Sequence, residues 1–168
     1  MEVKIIKLRE AIGYKASTYK VWDSAVFQNS SSNDKEWSGL YIAEVEDTAK
    51  GYLPDTVEST GGTGTAYIHR VSLATDVSVV DVDDEGFKTG DISLPTLKSI
   101  LRTKGVDVED KDLLMPKLGE LGYCMRCPHD VEGGIEIIVP RALADKVIMT
   151  GYKSVQMVGF TLKKETLV

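Results

Sequence analysis

Residues 118–148 read LGELGYCMRCPHDVEGGIEIIVPRALADKVI, and the fold turns on them. A helix ends at Leu121-Gly122-Tyr123 and passes into a short irregular segment. Glycines 133 and 134 follow, then a strand, Gly134–Val139, that carries one glutamate, then a proline and the apolar pair Val147-Ile148. Glu136 therefore has isoleucine on both sides. A carboxylate in so apolar a strand costs desolvation energy unless it has a partner. Simple alternation offers the plain reading, with Glu136 on the solvent face of an edge strand. The sharper reading is a buried carboxylate held there for chemistry.

Working outward, Val3–Leu8 alternates charge and apolar character and fits a strand or a short helix. Ser17–Trp22 (STYKVW) predicts a strand rich in aromatic and β-branched residues. The polar cluster Asn29–Lys35 predicts a loop. In WSGLYIAEVEDTAKGYL, residues 37–53, Leu40–Ala43 predicts a strand and Val45–Leu53 a helix. Pro54–Thr65 predicts a flexible connection, Ala66–Leu73 and Val77–Val82 two strands. Leu94–Gly105 has proline in its first turn and glycine at its end, the asymmetry of a helix. Asp112–Leu121 predicts a second helix, interrupted near Pro116. Residues 140–152 predict a short helical turn and strand, and SVQMVGFTLKK a closing strand. Six or seven strands with few helices, without a helix after every strand, predict an α+β fold of mixed or antiparallel sheets.

The chain has 168 residues and a net charge of −6, with 42% hydrophobic and 27% charged residues. Its length predicts a single domain, 1–168. The acidic balance argues against a general nucleic-acid binder, which shows a basic face, but leaves room for a nucleotide held by one or two local cations. No apolar run approaches the roughly 20 residues that span a bilayer. The charged N-terminus lacks the apolar core of a secretory signal. These features predict a cytoplasmic chain with no membrane contact, exported, if at all, without a cleavable signal.

Cys124 and Cys127 form a C-x-x-C. A structural zinc site needs about four ligands, and only His129 stands nearby. Pro128 suits poorly the helix that follows a thioredoxin-type motif. The pair reads as two reduced, partly buried thiols, with no metal.

Taken in order, these segments resemble the mono-ADP-ribosyltransferase superfamily, the fold of bacterial ADP-ribosylating toxins and of poly-ADP-ribose polymerases. The resemblance covers roughly Ser17 to Ile148. It implies a split β-sandwich of two mixed or antiparallel sheets, NAD as substrate and no metal. Glu136 matches the catalytic glutamate. SGLYIAEVEDTAKGYL matches the second motif, in which Gly39 opens the strand and Tyr41 and Tyr52 flank the nicotinamide. The first motif, a strand ending in Arg or His after a tyrosine, falls on Tyr19 and Lys20. Lysine there is a departure, because it offers a point charge where arginine offers a planar fork. Glu132 and Gly134 fall in the turn that faces the acceptor. Glycine at 134, where the arginine-modifying branch has Gln or Glu, makes an arginine acceptor a poor match. Gly61, Gly62 and Gly64 lack a dinucleotide fingerprint's context and read as a loop. His69 and Arg70 lie on opposite faces of one strand, and one of them belongs in or near a site.

The resemblance implies a toxin or effector that transfers ADP-ribose to a macromolecular acceptor, a protein ahead of a nucleic acid. A cognate immunity or antitoxin protein is the expected partner. Plain NAD hydrolysis and a degenerate module acting through protein contacts are the alternatives.

Overall fold

The computed structural model describes residues 4–7, 11–23, 26–27, 38–74, 76–81, 99, 101–107, 111–128 and 134–167. The predicted loop Asn29–Lys35, residues His129 and Glu132, and the start of the predicted helix at Leu94 lie outside them. Residues 101–103, within that expected helix, are helical.

Among the described residues nine strands follow in chain order: β1 (Lys4–Lys7), β2 (Ala11–Ser17), β3 (Leu40–Ala43), β4 (Gly64–Leu73), β5 (Ser78–Asp81), β6 (Tyr123–Pro128), β7 (Ile135–Val139), β8 (Val147–Val158) and β9 (Thr161–Leu167). Among the helices whose bounds lie within the described residues are α1 (Glu46–Lys50), α2 (Leu53–Thr56) and α3 (Leu114–Glu120). The strands hydrogen-bond in the order β1-β5-β6-β7-β3-β2-β4-β8-β9. Among the described strands only β5 and β6 pair in parallel. The α+β class stands, with a mixed sheet and few helices.

In place of two separate sheets, the strands form one hydrogen-bonded sheet with a narrow seam. Along β2, six positions pair with β4, from Ala11↔Ser72 to Ser17↔Tyr67. Towards β3 only Tyr14↔Ala43 pairs. The backbones come very close beside that point. A Cβ on Gly13 would lie 2.1 Å from the Ala43 carbonyl oxygen, so only glycine fits there.

Three buried clusters explain the strand patterns. The first joins Leu40, Ile42, Val79, Ile137 and Val139 from one side of the seam with Val71 and Leu73 from the other. The second sets Val80, Met125 and Ile138 against Leu114, Met115 and Leu118 of α3. The third sets Ala16, Ala43, Ile68 and Val155 against Ala49 and Leu53 of the two short helices. Ile137 and Val139 enter the first cluster and Ile138 the second, so both faces of β7 are covered. That is why this strand reads as a continuous apolar run rather than an alternation.

Several boundaries differ from expectation, each for a local reason. The strand expected at Ser17–Trp22 lies earlier and ends at Ser17. There the Ser17 hydroxyl accepts a hydrogen bond from the Tyr19 backbone N–H at 3.0 Å, and the chain bends. The segment predicted as irregular after Tyr123 is β6, held by parallel pairing to β5, a contact no local signal encodes. The expected loop after Pro54 contains α2 and a 3-10 turn at Glu58–Thr60. The expected closing strand is the end of β8, a hairpin turn at Gly159-Phe160, and β9.

Candidate active site

Glu136 is 2% exposed and sits on β7, the fourth strand of nine, between Cys127 of β6 and Ala43 of β3. The plain reading, an edge-strand glutamate facing water, does not hold, because β7 has a neighbour on each side and a cluster on each face. An ionised carboxylate so placed must be hydrogen-bonded or paired. The Tyr52 hydroxyl donates to Glu136 Oε1 at 2.6 Å, the short distance of a hydrogen bond to a charged oxygen.

The second partner is a cation that sequence reasoning passed over. Lys15 follows Tyr14, the seam residue, and its Nζ lies 5.9 Å from the centre of the Tyr52 ring. Burial pulls its pKa down to about 8, and the negative charge of Glu136 acts in the opposite direction, holding the proton on. At neutral pH Lys15 is therefore still an ammonium, with the tyrosine ring and the glutamate as its surroundings. Lys15, Tyr52 and Glu136 come from β2, the start of α2 and β7. The seam brings them together.

The backbone around Glu136 is braced from the opposite face. Arg126 donates to Glu44 from Nε at 3.1 Å and from Nη2 at 2.8 Å. Arg126 adjoins Cys127 and Glu44 adjoins Ala43, the two cross-strand neighbours of Glu136. This bidentate pair straps β6 to β3 across β7, and the Glu44 N–H extends the pairing by donating to the Ile135 carbonyl at 2.9 Å.

The other residues singled out in the sequence fall as follows. Tyr41 pairs with Ile138 on the face that carries Glu136, two positions along, and packs against the α3 cluster. Gly39 has a φ of +143° and lies against the Val139 carbonyl, where a Cβ would sit at 2.5 Å. It lets β3 and β7 close up. Gly134 lies against Thr48 of α1, with a Cβ position 2.5 Å from the threonine hydroxyl. Tyr19 and Lys20 are exposed and lie beyond the end of β2, apart from the Glu136 group. Of the neighbouring pair on β4, His69 is the buried one and Arg70 the exposed one. His69 Nε2 donates to the Tyr19 carbonyl at 2.7 Å, and burial lowers its pKa.

Among the described residues no group of three His, Cys, Asp or Glu side chains gathers where a metal could bind. Cys124 is free and buried, and burial pushes its thiol up to about 12. No helix among the described residues is long and apolar enough to cross a membrane.

No protein-family model matches the sequence, and neither does any curated protein. The fold is similar to a chain in the crystal structure of the M. tuberculosis MbcT-MbcA toxin-antitoxin complex. The TM-score is 0.53 with 13% sequence identity, over 92% of this chain and 87% of that one. At this identity the likeness is one of fold.

Proposed function

We infer that the chain is an NAD-consuming toxin domain that transfers ADP-ribose to a macromolecular acceptor. The observation that carries this reading is the buried Glu136 carboxylate, held by the Tyr52 hydroxyl at 2.6 Å with Lys15 beside it. Support comes from the resemblance of the glutamate strand and the Tyr41–Tyr52 segment to the ADP-ribosyltransferase superfamily. The fold likeness to a toxin-antitoxin complex points the same way, and the single-pair seam is the feature closest to that superfamily's split sandwich.

In this reading the bond between the ribose C1′ and the nicotinamide nitrogen breaks. The bonding pair leaves with nicotinamide, which becomes neutral, and the ribose gains oxocarbenium character, as in glycoside hydrolysis. The acceptor's lone pair then bonds to C1′, and its proton passes to solvent. A fixed carboxylate stabilises the developing positive charge more than the ground state, which is what catalysis requires. Tyr52 orients that carboxylate and, with Tyr41, offers a ring for the nicotinamide to stack on. Lys15 takes the place of the first-motif cation that the sequence assigned to Lys20. Its ammonium stands beside Glu136 and offers a charge to a ribose or phosphate oxygen. By the resemblance the turn that carries Glu132 and Gly134 selects the acceptor, a protein ahead of a nucleic acid given the net charge of −6. A cognate antitoxin is the proposed partner.

The use of lysine at both Tyr14-Lys15 and Tyr19-Lys20, where arginine would give a bidentate fork, favours a second reading. It is a degenerate module that acts through protein contacts. Incubation with NAD labelled separately in its nicotinamide and adenylate halves tests both. Adenylate label on a macromolecule, with nicotinamide released, is the expected result. Nicotinamide release without labelling means that water is the acceptor. Neither event means the binding module.

A further inference from the structure

Strands β2, β4 and β8 carry Tyr14, Arg70 and Gly151 in one register row. The next row on the same face is Ile68, Lys153 and Leu167, from β4, β8 and β9. A recess of about 460 Å³ opens over these two rows and is bounded by Glu46 of α1. Lys15, Tyr52 and Glu136 do not line it. Two features mark it as a binding site. The first is charge. Glu46 and Lys153 satisfy each other at 2.7 Å. Arg70, the third charged side chain in the lining, is exposed, and no described carboxylate pairs with it. The second is Gly151. A Cβ on Gly13, Gly39 or Gly134 would strike a neighbour, whereas nothing lies within 4 Å of the Cβ position of Gly151, and its φ is not left-handed. Packing within the chain therefore does not demand glycine there. Glycine inside a strand often marks a place where a ligand or another backbone comes close.

We propose that this recess takes an extended acidic peptide of a partner protein, with a carboxylate on Arg70, its backbone over Gly151 and an apolar side chain against Leu167. The arginine fork matches a carboxylate with two parallel hydrogen bonds. Leu167 is 81% exposed, so an aliphatic contact is open to a partner without any rearrangement. From Arg70 on β4 to Leu167 on β9 is two strand spacings, about 10 Å. Side chains two positions apart in an extended peptide project to one side and reach across that span. The charge of the occupant is also constrained. Glu46 already brings a carboxylate to the recess, so the single charge of an acidic side chain suits it better than the near-double charge of a phosphate monoester. Binding there does not depend on the NAD chemistry proposed above.

The test is titration of the full chain with the peptide acetyl-Leu-Ser-Glu-Ser-Leu-amide, followed by amide NMR shifts. Its glutamine counterpart, inorganic phosphate and the variants Arg70→Gln and Gly151→Val are the comparisons. Arg70 is exposed, so its variant keeps the experiment informative if Gly151→Val fails to fold. The acidic peptide is expected to bind, with shifts at Arg70, Gly151 and Leu167. Affinity should fall about 10-fold or more for the glutamine peptide and in each folded variant, the scale of one charged hydrogen bond. Added salt should weaken the binding as well. Absence of binding, equal binding of the glutamine peptide, or unchanged affinity in the folded variants overturns the proposal. Tighter binding of phosphate than of the acidic peptide overturns the peptide as occupant.

Discussion

Tyr52 and Glu136 are 84 residues apart in sequence and joined by a hydrogen bond of 2.6 Å. The bond ties the start of α2 to the middle of the sheet, and it satisfies a carboxylate that has almost no access to water. The first prediction removes the charge. Glu136→Gln is nearly isosteric, and its amide oxygen still accepts from Tyr52, so the thermal midpoint should move little. Nicotinamide release should fall about 100- to 1,000-fold, the scale of losing one electrostatic stabiliser. Near-normal turnover would remove Glu136 from the chemistry.

Tyr52→Phe deletes the donor and keeps the ring. It leaves a buried carboxylate short of one hydrogen bond, a loss of about 1–3 kcal/mol. Denaturant melts should show that loss and turnover should drop. Unchanged stability would mean that the bond contributes nothing in the folded protein.

Lys15 sets an alkaline limit. Its pKa of about 8 means that the ammonium is lost as pH rises through that value. Nicotinamide release should therefore decline above about pH 8, and Lys15→Arg should carry the decline upward, since guanidinium stays charged. Stability should run the other way. Below pH 8 the lysine is charged in both folded and unfolded chains, and its burial penalty is present in full. Between 8 and the ordinary lysine value of 10.5 only the folded chain sheds the proton, so stability rises with pH across that window. A rate profile without a limb near 8, or a limb unmoved in Lys15→Arg, would exclude this role.

Gly13→Ala places a methyl group 2.1 Å from the Ala43 carbonyl oxygen, a backbone atom that cannot turn aside. The expected cost is about 1–3 kcal/mol, as for other overpacked sites, and it falls on the contact that holds Lys15 near Glu136. Urea denaturation and nicotinamide release should both suffer. Gly61→Ala makes a useful contrast, because nothing lies within 4 Å of its Cβ position, although its φ of +70° still adds some strain.

Cys124 should resist alkylation in the native protein, because its thiol stays protonated to about pH 12 and is buried. Peptide mapping after iodoacetamide treatment should find Cys124 modified only when denaturant is present.

The catalytic candidate was legible because Glu136 interrupts an unusually apolar run, and Tyr52 because the resemblance placed it. Lys15 was not. Two Tyr-Lys pairs stand near the expected first motif, Tyr14-Lys15 and Tyr19-Lys20, and the choice between them depends on where β2 ends. A single side-chain turn at Ser17 decides that. β6 was missed because its pairing to β5 links residues more than 40 positions apart, and CMRCP carries no alternation. The strands β3, β4 and β7 were read correctly because their apolar content is local. Whether the sheet divides could not be read at all, since the seam depends on one backbone approach at Gly13.

That seam has a consequence for dynamics. With only Tyr14↔Ala43 paired between β2 and β3, the sheet is two mechanical units sharing two buried clusters. Strands β1, β5, β6, β7 and β3 form one unit, and β2, β4, β8 and β9 the other. Proteins open in such cooperative units before they unfold globally, so amide exchange should release the two blocks at different rates. Glu136 belongs to the first block and Lys15 to the second. The pair assembles only while the blocks are docked, so a partner that bridges them or wedges them apart would control the site without touching it.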